Sequence, residues 1–95
     1  MRFLNLAIHY PKPEHTQDLL KAMRELGRVL RTTTGMIEAT AWLEQDGKRI
    51  IATSIWESSA AFQQALPIIG GAIKDVPFGE WEAQPRELFQ LNEMA

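Results

Sequence analysis

The sequence predicts an α+β fold of the ferredoxin-like type, in which one four-stranded antiparallel sheet carries two helices on the same face. Apolar residues alternate over residues 2–10, which is typical of a strand. They recur at helical spacing over residues 13–31. Residues 50–62 combine a buried strand with a helix that Ser58 is suited to cap. The full order, βαββαβ, is that of two split βαβ units.

The size and charge of the chain limit its class. Its 95 residues predict one domain, residues 1–95, with a thin core, because so short a chain buries only about 60–70% of its unfolded surface. The net charge of −2 and the lack of a basic stripe exclude nucleic acid as a partner. With no cysteine and two histidines, the sequence predicts no disulfide, no iron–sulfur cluster and no metal site.

The first ten residues do not resemble a signal peptide, since they lack a long apolar core and a small-residue cleavage site. No apolar run approaches the roughly 18–20 residues that span a bilayer. We therefore expect a cytoplasmic protein without a membrane partner.

The first half of the chain has clear boundaries. Pro13 suits the first turn of a helix, because its missing N–H costs nothing there. Gly35 is expected to end that helix, and residues 36–44 form the second strand. A turn at residues 45–48, centred on Asp-Gly, leads into a third strand over residues 49–56.

The second half is less regular. A helix is predicted over residues 59–66 and is expected to be interrupted by Pro67. A short helical turn is expected at residues 72–75 and a connection at 76–79. The last strand is predicted over residues 80–91, with Pro85 in its middle, which favours an edge position. The tail, residues 92–95, is expected to be loose.

Both faces of the first three strands are apolar, whereas two helices cover only one face. An apolar sheet face of this size requires a cover in a soluble protein. The simplest cover is a second copy of the chain, packed sheet to sheet, so we predict a homodimer.

These elements resemble the antibiotic biosynthesis monooxygenase family, which consists of small dimeric α+β barrel proteins. The resemblance covers nearly the whole chain in element order. Its most specific part is the block W-E-S-S-A-A-F at residues 56–62. The family includes cofactor-free monooxygenases that form quinones, haem-degrading oxygenases, and members without a clear function.

The resemblance disfavours haem degradation. That branch uses an asparagine on the first strand, a tryptophan in the second helix and a histidine shortly after it. Along this chain the first two positions fall at Ala7 and Ala65, and no histidine follows His15. Many other members carry a histidine in or near the second helix, and its absence from this chain also counts against the family's common type of catalysis.

The cofactor-free mechanism that the resemblance implies requires a dry cavity, a flat apolar wall and polar groups that hold an anion. Asn5 and His9 share one face of the first strand and are the candidate catalytic residues. Asn5 would hold a phenolate or carbonyl oxygen, and His9 would act as a base. The alternatives are an Asn5 amide bonded to neighbouring backbone and a solvated His9 at the strand end; His15 is expected to be exposed.

Four aromatic residues are candidate substrate-binding residues, although such residues more often fill a core or an interface. They are Trp42, Trp56, Phe62 and Trp81. The carboxylates are scattered and predict no acid–base or metal pair. Two hypotheses follow: a cofactor-independent monooxygenase-like enzyme acting on a phenolic or quinol compound, and a non-catalytic homodimeric module that binds a small aromatic ligand or has a structural role.

Overall fold

A computed structural model describes residues 1–94. The strands are β1 (Phe3–His9), β2 (Met36–Leu43), β3 (Ile50–Trp56) and β4 (Glu87–Asn92), and the α-helices are α1 (Thr16–Leu30), α2 (Ser59–Ile73) and α3 (Phe78–Trp81). A 3₁₀ turn, Pro13–His15, precedes α1 and has its proline at the predicted position. The turn and helix together cover the predicted helical segment.

The four strands form one sheet in the order β2-β3-β1-β4, and every neighbouring pair is antiparallel. β1 is therefore central, between β3 and β4. Its Asn5 lies opposite Ser54 of β3 and Gln90 of β4. The predicted α+β ferredoxin-like fold is confirmed.

The helices pack on one face of this sheet because α1 presents a buried stripe at helical spacing, formed by Leu19, Met23, Gly27 and Leu30. Two hydrophobic clusters result. One contains Phe3, Leu30, Ala39, Trp56, Phe62 and Ala65. The other contains Leu19, Met23 and Ile50. Trp56 is fully buried at the point where β3 turns into α2.

The predicted interruption of the second helix at Pro67 is wrong. α2 continues to Ile73, seven residues beyond the predicted end and into the expected separate turn at 72–75. Proline removes one backbone hydrogen bond but fixes a helical φ. Ile69 packs against the first hydrophobic cluster, and this burial offsets the lost hydrogen bond. Ser58 caps the helix as predicted, since its hydroxyl accepts from the Ala61 N–H at 3.1 Å.

The last strand is shorter than predicted. Residues 78–81 form the short helix α3, and β4 begins only at Glu87, so Pro85 precedes the strand instead of interrupting it. Backbone hydrogen bonds explain the difference. The Lys12 N–H donates to the Trp81 carbonyl at 2.7 Å, and the Ala83 N–H donates to the Tyr10 carbonyl at 2.8 Å. These bonds fix the segment beside the end of β1.

The tail is partly ordered: β4 runs to Asn92, and Glu93 forms a 2.7 Å salt bridge with Arg2. Ala95 lies outside the described residues.

In the second strand, Ile37 occupies a bulge and is exposed, whereas Ala39 is buried beneath the helices. Within residues 1–94, every helix is too short or too polar to cross a bilayer.

Candidate functional site

A cavity of about 190 Å³ lies between the sheet and the helices. Most of its wall is apolar and comes from α1, α2 and the helix-facing side of the sheet. Its lining includes Met23, Leu26, Leu30, Phe62, Leu66, Ile69, Ile73, Phe78 and Leu88. Leu66 of α2 and Leu88 of β4 are also exposed, so the cavity meets solvent between these two elements.

The two predicted catalytic residues line this cavity together with Ala7 of the same strand. This agrees with the strand period of two. Asn5 is half-buried, and its amide takes part in none of the side-chain hydrogen bonds formed among residues 1–94. The alternative of an Asn5 amide bonded to neighbouring backbone is therefore not found in this part of the chain.

The alternative of a solvated His9 at the strand end is wrong, because the residue is only 2% exposed. Its Nδ1 lies 3.3 Å from Oε1 of Glu82, which is itself 7% exposed. The same oxygen accepts the Tyr10 backbone N–H at 3.1 Å. The histidine is buried because the segment after α3 closes over the end of β1. The structure thus corrects the expectation that no carboxylate forms an acid–base pair.

Burial determines the protonation of this pair. It lowers the pKa of His9 from 6.5 to about 4, and the positive charge of Arg86 adds to the effect. Burial also raises the pKa of Glu82, against the opposing influence of the Tyr10 N–H and Arg86. At neutral pH the imidazole is therefore uncharged and keeps a ring nitrogen with a free lone pair.

Arg86 and Phe78 form the side of the cavity beside His9. The Phe78 ring stacks on the His9 ring with 5.8 Å between centroids. The Arg86 guanidinium carbon lies 4.3 Å from the centroid of the same phenyl ring. Arg86 is half-buried and lines the cavity, so it brings a positive charge next to an otherwise apolar wall.

The structure separates the four candidate aromatic residues. Phe62 lines the cavity and packs edge-on against Trp56, which belongs to the core and donates its indole N–H to the Ser54 hydroxyl at 2.9 Å. Trp42 is 55% exposed on the sheet face away from the helices. Trp81 lies in α3, where it stacks on a half-buried His15 and packs against the second cluster. Of these four candidate residues, only Phe62 lines the cavity.

Sequence reasoning missed Glu82 and Arg86. Both were placed in a predicted strand, where alternation alone gave no reason to bring either near His9. The signal that was available is the pair of prolines, Pro77 and Pro85, which bracket the segment and disfavour a continuous strand. Among residues 1–94, no three His, Asp or Glu side chains come together as a metal-binding group.

The fold and this cavity define a ferredoxin-like α+β protein with a small, largely apolar site beneath its helices. The model of the family described as antibiotic biosynthesis monooxygenase matches residues 1–66. The chain belongs to the antibiotic biosynthesis monooxygenase family. Among curated proteins, no sequence matches significantly.

Solved structures share the fold at low sequence identity. The protein Rv0793 from Mycobacterium tuberculosis has a TM-score of 0.84 at 16% identity, with 100% of this chain and 97% of that chain covered. A conserved protein from Methanosarcina mazei Go1 has a TM-score of 0.86 at 14% identity, with 99% and 94% covered. A mutant of SnoaB, a cofactor-independent oxygenase from Streptomyces nogalater, has a TM-score of 0.81 at 12% identity, with 99% and 94% covered. These likenesses establish the fold alone.

Proposed function

We propose that the protein is a cofactor-independent monooxygenase that oxidises a small phenolic or quinol compound with O2. The observation that carries this proposal is the cavity itself, where a neutral buried His9 and the amide of Asn5 meet an apolar wall. Family membership and the likeness to SnoaB, which is a cofactor-independent oxygenase, support the same class of reaction.

In the proposed reaction, the substrate hydroxyl gives its proton to the free ring nitrogen of His9. Because burial lowers the pKa of His9 to about 4 in the empty site, this transfer requires that the negative charge formed beside the imidazolium offset the cost of burial. Asn5 and Arg86 stabilise the resulting anion, because an amide N–H and a guanidinium favour negative charge in a poorly solvated site. The electron-rich anion passes an electron to O2. Recombination and loss of water then leave a quinone, so one oxygen atom enters the product and the other leaves as water.

The cavity volume limits the size of the substrate. An engineered apolar cavity of about 150 Å³ holds one benzene molecule. At about 190 Å³, the present cavity therefore fits a single substituted ring better than a fused polycyclic compound. Phe62 supplies part of the flat apolar wall, and the opening beside Leu88 provides the route of access.

We also propose that the protein acts as a homodimer through the sheet face away from the helices. In the central strand this face carries Leu4, Leu6 and Ile8, which pair across the sheet with Leu91, Phe89 and Ile51. Trp42 extends the same face on β2. An apolar surface of this extent is unfavourable in water, and an identical sheet face is the matching cover.

The test is O2 consumption by the purified protein with a panel of monocyclic quinols and phenols and a parallel panel of fused three-ring phenols. Turnover with quinone formation is expected for members of the first panel. Asn5→Ala is expected to lower kcat/KM by about 10-fold or more, because the anion loses a hydrogen-bond donor. Gln17→Ala, on the exposed side of α1, serves as the matched control.

Absence of turnover across both panels would overturn the enzymatic proposal. Tryptophan fluorescence identifies the alternative, because Trp56 contacts the cavity residue Phe62. Ligand-dependent quenching without any product would favour the non-catalytic small-molecule-binding module. Turnover that Asn5→Ala leaves unchanged would remove Asn5 from the site.

A further inference from the structure

The hydrogen bonds of the Glu82 carboxylate indicate which ring nitrogen of His9 carries the proton. Its Oε1 accepts the Tyr10 backbone N–H at 3.1 Å, so that oxygen acts as an acceptor. His9 Nδ1 lies 3.3 Å from the same atom. An ionised Glu82 carboxylate can only accept hydrogen bonds, and beside it Nδ1 carries the proton that it donates to Glu82.

The protonation of one ring nitrogen decides the state of the other. A neutral imidazole with its proton on Nδ1 has a lone pair on Nε2. His9 is a cavity-lining residue, and its Nδ1 edge is occupied by Glu82. Nε2 is therefore the nitrogen left to accept a proton from a bound molecule.

The backbone holds Glu82 rigidly in this position. Its N–H donates to the Phe78 carbonyl at 2.9 Å, and its two neighbours, Trp81 and Ala83, are hydrogen-bonded to Lys12 and Tyr10 on the segment that follows β1. The backbone of Glu82 also forms an isolated antiparallel β-bridge with Pro11. A buried carboxylate held this firmly is unusual unless its position has a use, because burying it carries a desolvation cost.

We propose that Glu82 is a positioning residue, whose carboxylate fixes His9 in the tautomer that presents Nε2 as the proton acceptor in the cavity. Glu82 acts through His9 and does not touch the substrate. When the substrate O–H bond breaks and the proton bonds to Nε2, Glu82 stabilises the imidazolium that forms. The catalytic consequence rests on the proposed function, whereas the tautomer of the resting protein does not.

The tautomer is measured directly by two-dimensional NMR of ¹⁵N-labelled histidine near pH 7.5, without any substrate. A His15→Gln background leaves His9 as the only histidine, since the chain has two. We expect the proton on Nδ1. Glu82→Leu removes the acceptor and is expected to move the proton to Nε2. Glu82→Gln retains an oxygen acceptor and is expected to preserve the original tautomer.

The matched control is Glu80→Gln, an exposed carboxylate in α3, which is expected to leave the spectrum unchanged. With a turned-over substrate, Glu82→Leu should lower kcat by about 10²-fold or more, and Glu82→Gln should recover part of that loss.

A proton on Nε2 in the unsubstituted His9 site would overturn the inference, and this result does not depend on whether Glu82→Leu folds. An unchanged tautomer in a folded Glu82→Leu variant would overturn it as well. The predicted tautomers in a protein that turns over no substrate would support the positioning role and count against the proposed function alone.

Discussion

Gly35 and Ala61 lie so close that a β-carbon added to Gly35 would be 2.5 Å from the Ala61 side chain. Gly35 also has a φ of +84°, a region that L residues with side chains rarely adopt. Its carbonyl accepts the Glu57 N–H at 2.8 Å. This contact joins the turn after α1 to the beginning of α2 and so fixes the two helices over the same cavity.

Replacing this glycine is expected to destabilise the protein. Gly35→Ala introduces both left-handed backbone strain and the overlap with Ala61, so the free energy of unfolding should fall by at least about 2 kcal/mol. Gly47→Ala is the matched control, because Gly47 has a φ of +77° but open space around it. It should cost only about 1 kcal/mol. Urea denaturation measures both, and equal losses would contradict the steric part of the argument.

The glycines of α2 are expected to behave in the opposite way. A β-carbon at Gly71 would meet no atom within 4 Å other than its chain neighbours and the backbone of its own helix. Gly71→Ala should therefore raise the free energy of unfolding by up to about 1 kcal/mol, through the higher helix propensity of alanine. Thermal unfolding followed by circular dichroism measures the change, and a decrease in stability would argue against the continuous helix.

The sequence predicted the first three strands and α1 well, because each has a strong hydrophobic period and a clear turn residue such as Gly35. It failed where long-range contacts override local propensity. α2 continues through Pro67 because Ile69 packs against the core. The segment carrying Glu82 takes its shape from hydrogen bonds to residues about 70 positions earlier in the chain, which no local pattern encodes.

The candidate site divides in the same way. The strand period alone places Asn5 and His9 on one face, so their common position on the cavity wall could be predicted. The burial of His9 and the presence of Arg86 depend on the segment whose course was mispredicted. The tryptophans were candidates because aromatic rings can form a flat wall against a planar ligand. Residue type does not reveal whether a ring lies in a core, on a sheet face or in a cavity.

The buried His9 predicts a pH dependence of stability. Its pKa is about 4 in the folded protein, against 6.5 normally, so between these values the unfolded chain binds more protons. Stability should therefore fall as the pH decreases from 6.5 to 4, by at most about 3 kcal/mol. Glu82, with a raised pKa, contributes a slope of the opposite sign, which makes a comparison between variants necessary.

The comparison uses urea unfolding at several pH values. His9→Gln should lose this dependence, whereas His15→Gln should retain it. Parallel stability curves for the wild type and His9→Gln would show that His9 does not contribute the slope.

The proposed dimer predicts a molecular mass of twice the 10.8 kDa of one chain. Phe89→Asp introduces a charge on the apolar sheet face, opposite Leu6, and should shift the protein towards the monomer. Gln17→Asp, on the exposed side of α1, should leave the mass unchanged. Light scattering after size-exclusion chromatography measures the mass of the wild type and of both variants. A wild-type protein with the mass of one chain would contradict the proposal.

The most direct test of the account is the kcat of His9→Gln, compared with that of His15→Gln, on the quinol that the wild type turns over fastest. If His9 takes the substrate proton, His9→Gln should lower kcat by about 10²-fold or more, and His15→Gln should stay close to the wild-type value. A His9→Gln variant with wild-type kcat would show that the proton goes elsewhere and would contradict the central claim.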